Sequence, residues 1–461
     1  MVVLKFGQST LKDVESIEKV LEVIINSHTA NKEISVVVSA MYRVSSRLFK
    51  ISQLAMVGDN SYKPIFQEIE NEHFAIVKHF VDVKRQAKVI AGLKVMLNDL
   101  EDILYGVFLL WELSPRTLDH IMTYGVKMSA YLIAECLKEK GIEATDLDAQ
   151  RVIVTNDVYG NASVDLKKSI ENIKSWFAAH TDIQVVTGYI GSTPKGESST
   201  LGRSGAVLTS SLLAAGLAAK KIEIYTDKDG ITNTDSELVK NAFSLTSISY
   251  AEAMEMSHFG TKLFYPPALQ PALSKNIPII IKNLFNPSFA GTEITAQTKA
   301  ESGGIKANSA IQNISLINIQ GSGMIGVTGL AARVFKALAE NQINVVLITQ
   351  ASSEHSITLA VTPEEGLNAS NILKEEFAAE INDNKLDNIS LEENMSIIAI
   401  IGEKMKDTPG VAGKIFGALG ENKINVSAIA QGSSELNISV VVENKDLSKA
   451  LNILQETFFK K

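Results

Sequence analysis

A single cysteine is all the thiol chemistry that 461 residues contain. Cys136 therefore excludes an intrachain disulfide, and its place in the helical pattern Ser129-Ala130-Tyr131-Leu132-Ile133-Ala134-Glu135-Cys136-Leu137 points to a buried structural sulfur, not a nucleophile. Long apolar runs are also missing. None reaches the roughly 18 residues that a membrane-spanning helix needs, and the chain enters a strand pattern at Val2 with no charged leader, so a cytoplasmic protein without a membrane partner is expected. The third lack is of basic charge: 44 Lys and Arg face 52 Asp and Glu, a net charge of −8 spread along the chain. Without a basic stripe a nucleic-acid surface is excluded, and small molecules remain as partners.

What is present is an ordinary soluble composition, 45% hydrophobic and 21% charged, long enough for two or three domains. β-branched apolar runs such as Ile34-Ser35-Val36-Val37-Val38, Gln184-Val185-Val186-Thr187, Lys221-Ile222-Glu223-Ile224-Tyr225-Thr226 and Ile277-Pro278-Ile279-Ile280-Ile281-Lys282 alternate with amphipathic stretches. Continuous apolar strands are covered on both faces, so the class is α/β, and Val14, Ile17, Val20, Leu21, Ile24 and Ile25 supply one covering helix. The segment 63–118 carries no strand pattern and reads as a helical cap, with a new helix starting at Ser114-Pro115. A polar, glycine-bearing stretch, Ala296 to Gly304, marks the main domain boundary.

Beyond that boundary the chain repeats itself at a constant offset of 81: Gly329 against Gly410, Glu340-Asn341-Gln342-Ile343-Asn344-Val345 against Glu421-Asn422-Lys423-Ile424-Asn425-Val426, and Gln350 against Gln431. Each copy reads strand, glycine turn, helix, strand, turn, strand. Units this small bury their sheets poorly alone, so paired copies and a dimer or larger assembly are expected. At the opposite end, Val2-Val3-Leu4-Lys5-Phe6-Gly7-Gln8-Ser9-Thr10 joins a strand to a lysine, a glycine and hydroxyls before a helix. That is either an ordinary turn or one that cradles an anion.

These residues resemble the aspartate kinases of the amino-acid-kinase superfamily, most of all the kinase portion of bifunctional aspartokinase–homoserine dehydrogenases. Lys5 to Thr10 resembles the motif KFGGTS, Val38 to Ser45 resembles VSAMGGVT, and Thr200 to Val207 resembles TLGRGGSD. Thr226-Asp227-Lys228-Asp229-Gly230 is similar to TDVDG, Phe259-Gly260-Thr261-Lys262 to FGAK, and the run from Ile281-Lys282-Asn283 to Gly291-Thr292 to the family's IKN, NP and GT blocks. The resemblance implies a three-layer αβα amino-acid-kinase domain with a mostly parallel sheet (1–295) and two α+β ACT domains of βαββαβ order (296–388 and 389–461). It implies phosphorylation of L-aspartate to 4-phospho-L-aspartate by ATP with Mg²⁺, at the head of lysine, threonine and methionine biosynthesis, and feedback by threonine or lysine.

Carried over position by position, Lys5 and Gly7 become catalytic, Ser39, Ser45 and Arg203 bind substrate, and Lys5, Thr226, Asp227 and Lys262 hold the nucleotide. Asn344, Gln350, Asn425 and Gln431 form the effector site, and no resident metal ligand is implied. The structural alternatives are a plain turn for Asp227 and Asp229, a helix-entry salt bridge for Arg203, and strand-end hydrogen bonding for the two glutamines. The departures fall on the chemistry: Gln8 and the pair Tyr42-Arg43 replace glycines, Val126 a glutamate, Ala206 a serine and Val207 an aspartate, while Thr232 and Glu237 replace a nucleotide-contacting Tyr and Arg. Two readings follow, a feedback-regulated aspartate kinase, or an impaired homologue that senses amino acids.

Overall fold

In the computed structural model, every residue is described except 32, 261–264, 297–303, 322–328, 351–355, 404, 406–407, 433–435 and 460–461. Lys262 and the polar boundary stretch between Ala296 and Gly304 thus lie outside the described residues. Two compact units form. The first comprises residues 1–231, 245–250 and the described residues of 265–296; the second takes 232–244, 251–260 and the described residues from 304 on.

The first unit is built on ten strands: β1 (Val2–Phe6), β2 (Ile34–Val38), β3 (Ala144–Leu147), β4 (Ile183–Thr187), β5 (Ile190–Ser192), β6 (Ser198–Thr200), β7 (Lys221–Thr226), β8 (Ser247–Ser249), β9 (Ile279–Asn283) and β10 (Thr292–Thr295). Eight form one sheet in the order β3-β4-β2-β1-β7-β9-β10-β8, parallel at every pairing but β9 with β10, while β5 and β6 pair as a hairpin. Every residue of β2 and of β4 is buried, so helices cover both faces, as their apolar runs require. The expected covering helix runs Val14–Asn31. The strandless region folds as helices Tyr62–Phe80, Val83–Leu110 and Pro115–Glu139. Ser114 accepts from the Thr117 amide, and Pro115, which has no N–H to lose, begins the last of them. Cys136 is 1% exposed, and burial pushes its thiol up to about 12, which suits an inert core sulfur.

The second unit holds a six-stranded sheet of β11 (Ala307–Gln320), β12 (Leu347–Gln350), β13 (Ser356–Val361), β14 (Asn388–Ile401), β15 (Ala428–Gln431) and β16 (Asn437–Glu443), ordered β12-β13-β11-β14-β16-β15. The repeat survives in three dimensions. Helices Leu330–Glu340 and Val411–Glu421 are equivalent, Gly329 and Gly410 precede them at φ +90° and +89°, and the amide of Asn341 or Asn422 donates to the carbonyl four residues back at 2.9 Å. β11 and β14 are themselves the same strand repeated. They pair antiparallel from Ala307↔Ile401 to Gln320↔Asn388 about a central irregularity where Asn313 and Asn394 are both left-handed. Each copy therefore completes its sheet with half of the other copy's long strand. Residues 232–244 and 251–260 join this unit: Val239 packs in the second copy's core, Asn233 donates to Gln455 at 2.8 Å, and Asn437 donates to Glu255.

Candidate active site

Three loops of the first unit leave the carboxyl ends of the adjacent strands β2, β1 and β7, where a parallel sheet opens a crevice. The Ser39 amide donates to the Phe6 carbonyl at 3.0 Å, coupling the first two loops, and the Phe6 and Tyr225 rings stack at 5.0 Å to brace the third. Lys5 is the last residue but one of β1, and the protein packed around it pushes its ammonium down to about 8. Gly7 has φ −87°, so its value is not conformational. A Cβ there would lie 2.9 Å from the Lys5 ammonium. The glycine keeps clear the space in front of that charge.

Gln8 fits without strain, because it begins a short helical turn, Gln8–Thr10, and is not left-handed. Its amide donates to the Ser45 hydroxyl at 3.3 Å, joining two predicted site loops. Asp227, at the end of β7, pairs with Lys12 at 3.1 Å. Burial works to raise its carboxyl, but the Lys12 hydrogen bond and charge, with a bond from Ser9, outweigh it and hold the group below the usual range. Lys12 is a residue that sequence reasoning missed. Only the fold brings it across to a turn more than two hundred positions away. Thr226 closes its own turn: its hydroxyl accepts from the Lys228 amide at 3.2 Å and donates to that residue's carbonyl at 3.1 Å. Asp229 is structural in the same turn, accepting from Asn283 at 2.8 Å and Asn286 at 3.0 Å.

Arg203 is exposed, its guanidinium 5.9 Å from the centre of the Tyr265 ring. The loop before it is pinned by a second missed residue, the buried Asp119, which accepts from the Thr200 amide and hydroxyl at 2.8 Å each and from the Gly160 amide at 2.9 Å. Burial outweighs these bonds and pushes the Asp119 carboxyl up. Ala206 and Val207 open helix Gly205–Gly216 and are 8% and 5% exposed, and Val126 is 2% exposed. Ala206 packs on Gly188, where a Cβ would come within 2.6 Å of it. All three substitutions are thus accommodated as core. Two left-handed residues, Arg43 at φ +60° and Ser204 at +59°, stand where the resembled motifs have glycine. Thr232 and Glu237 belong to the second unit's group of residues.

In the second unit, Gln350 and Gln431 end the outer strands β12 and β15, while Asn344 and Asn425 lie in the turns that lead into them; all four are exposed. Although β12 and β15 close opposite ends of the strand order, the sheet coils enough to bring them near each other.

Residues 1–283 match the model of the amino acid kinase family, and residues 317–377 and 398–458 each match that of the ACT domain. The chain belongs to the amino acid kinase family. It is 33% identical over 462 residues to a chloroplastic bifunctional aspartokinase/homoserine dehydrogenase 1 of Arabidopsis thaliana, covering 99% of the chain and half of that protein. This amino acid kinase thus spans about half the length of the plant relatives it matches. Among solved structures, aspartokinase III of E. coli in complex with aspartate and ADP (R-state) superposes with a TM-score of 0.81 at 27% identity, all of both chains being covered. The same enzyme with lysine and aspartate (T-state) gives 0.80 at 27%, again over both full chains.

Proposed function

We propose that this chain is an aspartate kinase, transferring the γ-phosphoryl group of ATP to the side-chain carboxylate of L-aspartate in the cytoplasm. The observation that carries the reading is the convergence of Lys5, Ser39 and Asp227 on adjacent parallel strand ends, in a fold that matches an aspartate- and ADP-bound aspartokinase from end to end. Donor and acceptor are both anionic, so the chemistry needs positive charge held in place. Lys5 supplies it at the transferring group, Gly7 leaves room for the approach, Arg203 meets the acceptor carboxylate with Ser39 and Ser45 beside it, and the turn of Thr226 and Asp227, with Lys262, holds the nucleotide. Magnesium enters on the phosphate oxygens of ATP.

The kinase portion is taken as 1–295 and the ACT domains as 296–388 and 389–461, the latter holding the subunits of a dimer or larger assembly. Gln350, Gln431, Asn344 and Asn425 bind a free amino acid there, lysine or threonine. An effector with different affinity for two arrangements shifts their populations and so the kinase rate. The test traps aspartyl phosphate as its hydroxamate, with MgATP and L-aspartate, with and without each amino acid. Aspartate-dependent product suppressed by lysine or threonine is expected. Absence of product from protein that still binds ADP and an amino acid would overturn the catalytic reading and leave a sensor.

A further inference from the structure

The mouth of the proposed nucleotide site carries more positive charge than the resembled motifs provide, and it is arranged around one aromatic ring. Tyr42 is 39% exposed, yet two cations approach its ring: the Lys12 ammonium is 5.7 Å and the Arg43 guanidinium 5.1 Å from the ring centroid. Both distances lie within the range of cation–π attraction, so the ring holds the two charges near each other against their repulsion. Lys12 is anchored from the other side by Asp227 at 3.1 Å. Arg43 has no such anchor: among the described residues no carboxylate pairs with its guanidinium, whereas Arg47, one turn on, is committed to Glu72 at 2.7 Å. The loop that carries Arg43 touches the phosphate-loop residue Gln8 through Ser45.

The backbone makes the arrangement expensive. Arg43 sits at φ +60°, a conformation that glycine adopts freely and an arginine does not. Of the two cations over the Tyr42 ring, only Lys12 has a carboxylate partner among the described residues, Asp227, and Lys5 lies near the end of the adjacent strand. Among the described residues the Arg43 charge is left without a carboxylate, and beside Lys5 it suits a polyphosphate.

We infer that Lys12, Tyr42 and Arg43 form a cationic clamp on the phosphate chain of the bound nucleotide, with Arg43 as the free arm that closes on it. The inference rests on the nucleotide reading of the site and adds to it three residues that the resembled motifs do not supply. Lys12, tied to the Asp227 turn, assigns the clamp to the nucleotide and not to the amino-acid acceptor. Its chemistry is charge-assisted hydrogen bonding from a guanidinium to phosphate oxygens.

The experiment uses the full chain, with binding of ADP, ATP and adenosine measured calorimetrically for wild type, Arg43→Gly, Lys12→Met and Tyr42→Phe. Arg43→Gly removes the charge and relieves the backbone at once, so it is expected to fold at least as well as wild type while binding ADP and ATP about tenfold more weakly. Its affinity for adenosine, which has no phosphate, stays the same. Lys12→Met weakens ADP and ATP in the same sense, Tyr42→Phe keeps the ring and the affinity, and raised salt narrows the gap between wild type and Arg43→Gly. Equal ADP affinity in wild type and Arg43→Gly overturns the clamp and leaves the nucleotide reading intact. A rise in the KM for aspartate with unchanged ADP binding overturns its assignment to the nucleotide. Wild-type protein that binds neither ADP nor ATP overturns the nucleotide reading, and the clamp falls with it.

Discussion

Lys5 shows how burial converts one side chain into a pH-dependent part. Its ammonium is pushed down to about 8, so the charged form is present below that pH and is lost above it. The kcat/KM for MgATP is therefore expected to fall as pH rises through about 8, and the limb in kcat to lie at higher pH, because a bound phosphate favours the charged lysine; initial rates from pH 6 to 10 check this. Gly7→Ala places a methyl 2.9 Å from that ammonium and should lower kcat strongly with a small change in melting temperature. Val126, Ala206 and Val207 carry a different expectation. Each is buried and apolar where the resembled motifs place Glu, Ser and Asp, and loss of one preorganised electrostatic group typically costs roughly 10²–10³ in rate. The combined Val126→Glu, Ala206→Ser and Val207→Asp variant should raise turnover by more than tenfold, read in the hydroxamate assay. No gain in a folded variant would show that the pocket no longer holds the geometry those groups serve.

At the scale of elements, the helix Gly205–Gly216 is set by one close approach. A Cβ on Gly188 would meet Ala206 at 2.6 Å and the Val38 carbonyl at 2.9 Å. Gly188→Ala must push this helix off the ends of β2 and β4, at a cost of about 1–3 kcal/mol and with loss of aspartate affinity through Arg203, measured by denaturant melts and by KM. Much of this layer was legible in advance, since strands with apolar runs and a helix opened by Ser114-Pro115 follow from local chemistry. The residue types alone did not signal that Arg43 and Ser204 are left-handed, although both stand where the resembled motifs have glycine, nor that Gln8 avoids the strain that a lost glycine suggested.

For the whole molecule, the repeat decides how the second unit folds. Residues 395–401 of β14 pair with β16, residues 388–392 with the second half of β11, and Ala307–Ile311 with Ile397–Ile401, so neither copy owns a complete sheet. A chain ending at residue 387 should lose the cooperative unfolding transition of this unit altogether instead of half of it, as judged by hydrogen exchange across β11 to β13. Gln350→Ala and Gln431→Ala, both at exposed strand ends, should weaken amino-acid inhibition several-fold while the uninhibited rate stays near that of wild type.

The sequence by itself determined the α/β class, the two repeats with their offset of 81, the inert Cys136 and the membership of Lys5, Gly7 and Asp227 in one set of motifs, because each rests on local periodicity or on residue types in order. Only the tertiary structure decided that Lys12 reaches Asp227 and the Tyr42 ring, that Asp119 pins the Arg203 loop, and that residues 232–244 and 251–260 serve the second unit. The physical reason is range. Turns and amphipathic faces are written within a few residues, whereas these pairings join charges and surfaces far apart along the chain, and they exist only once the sheets have set their distances.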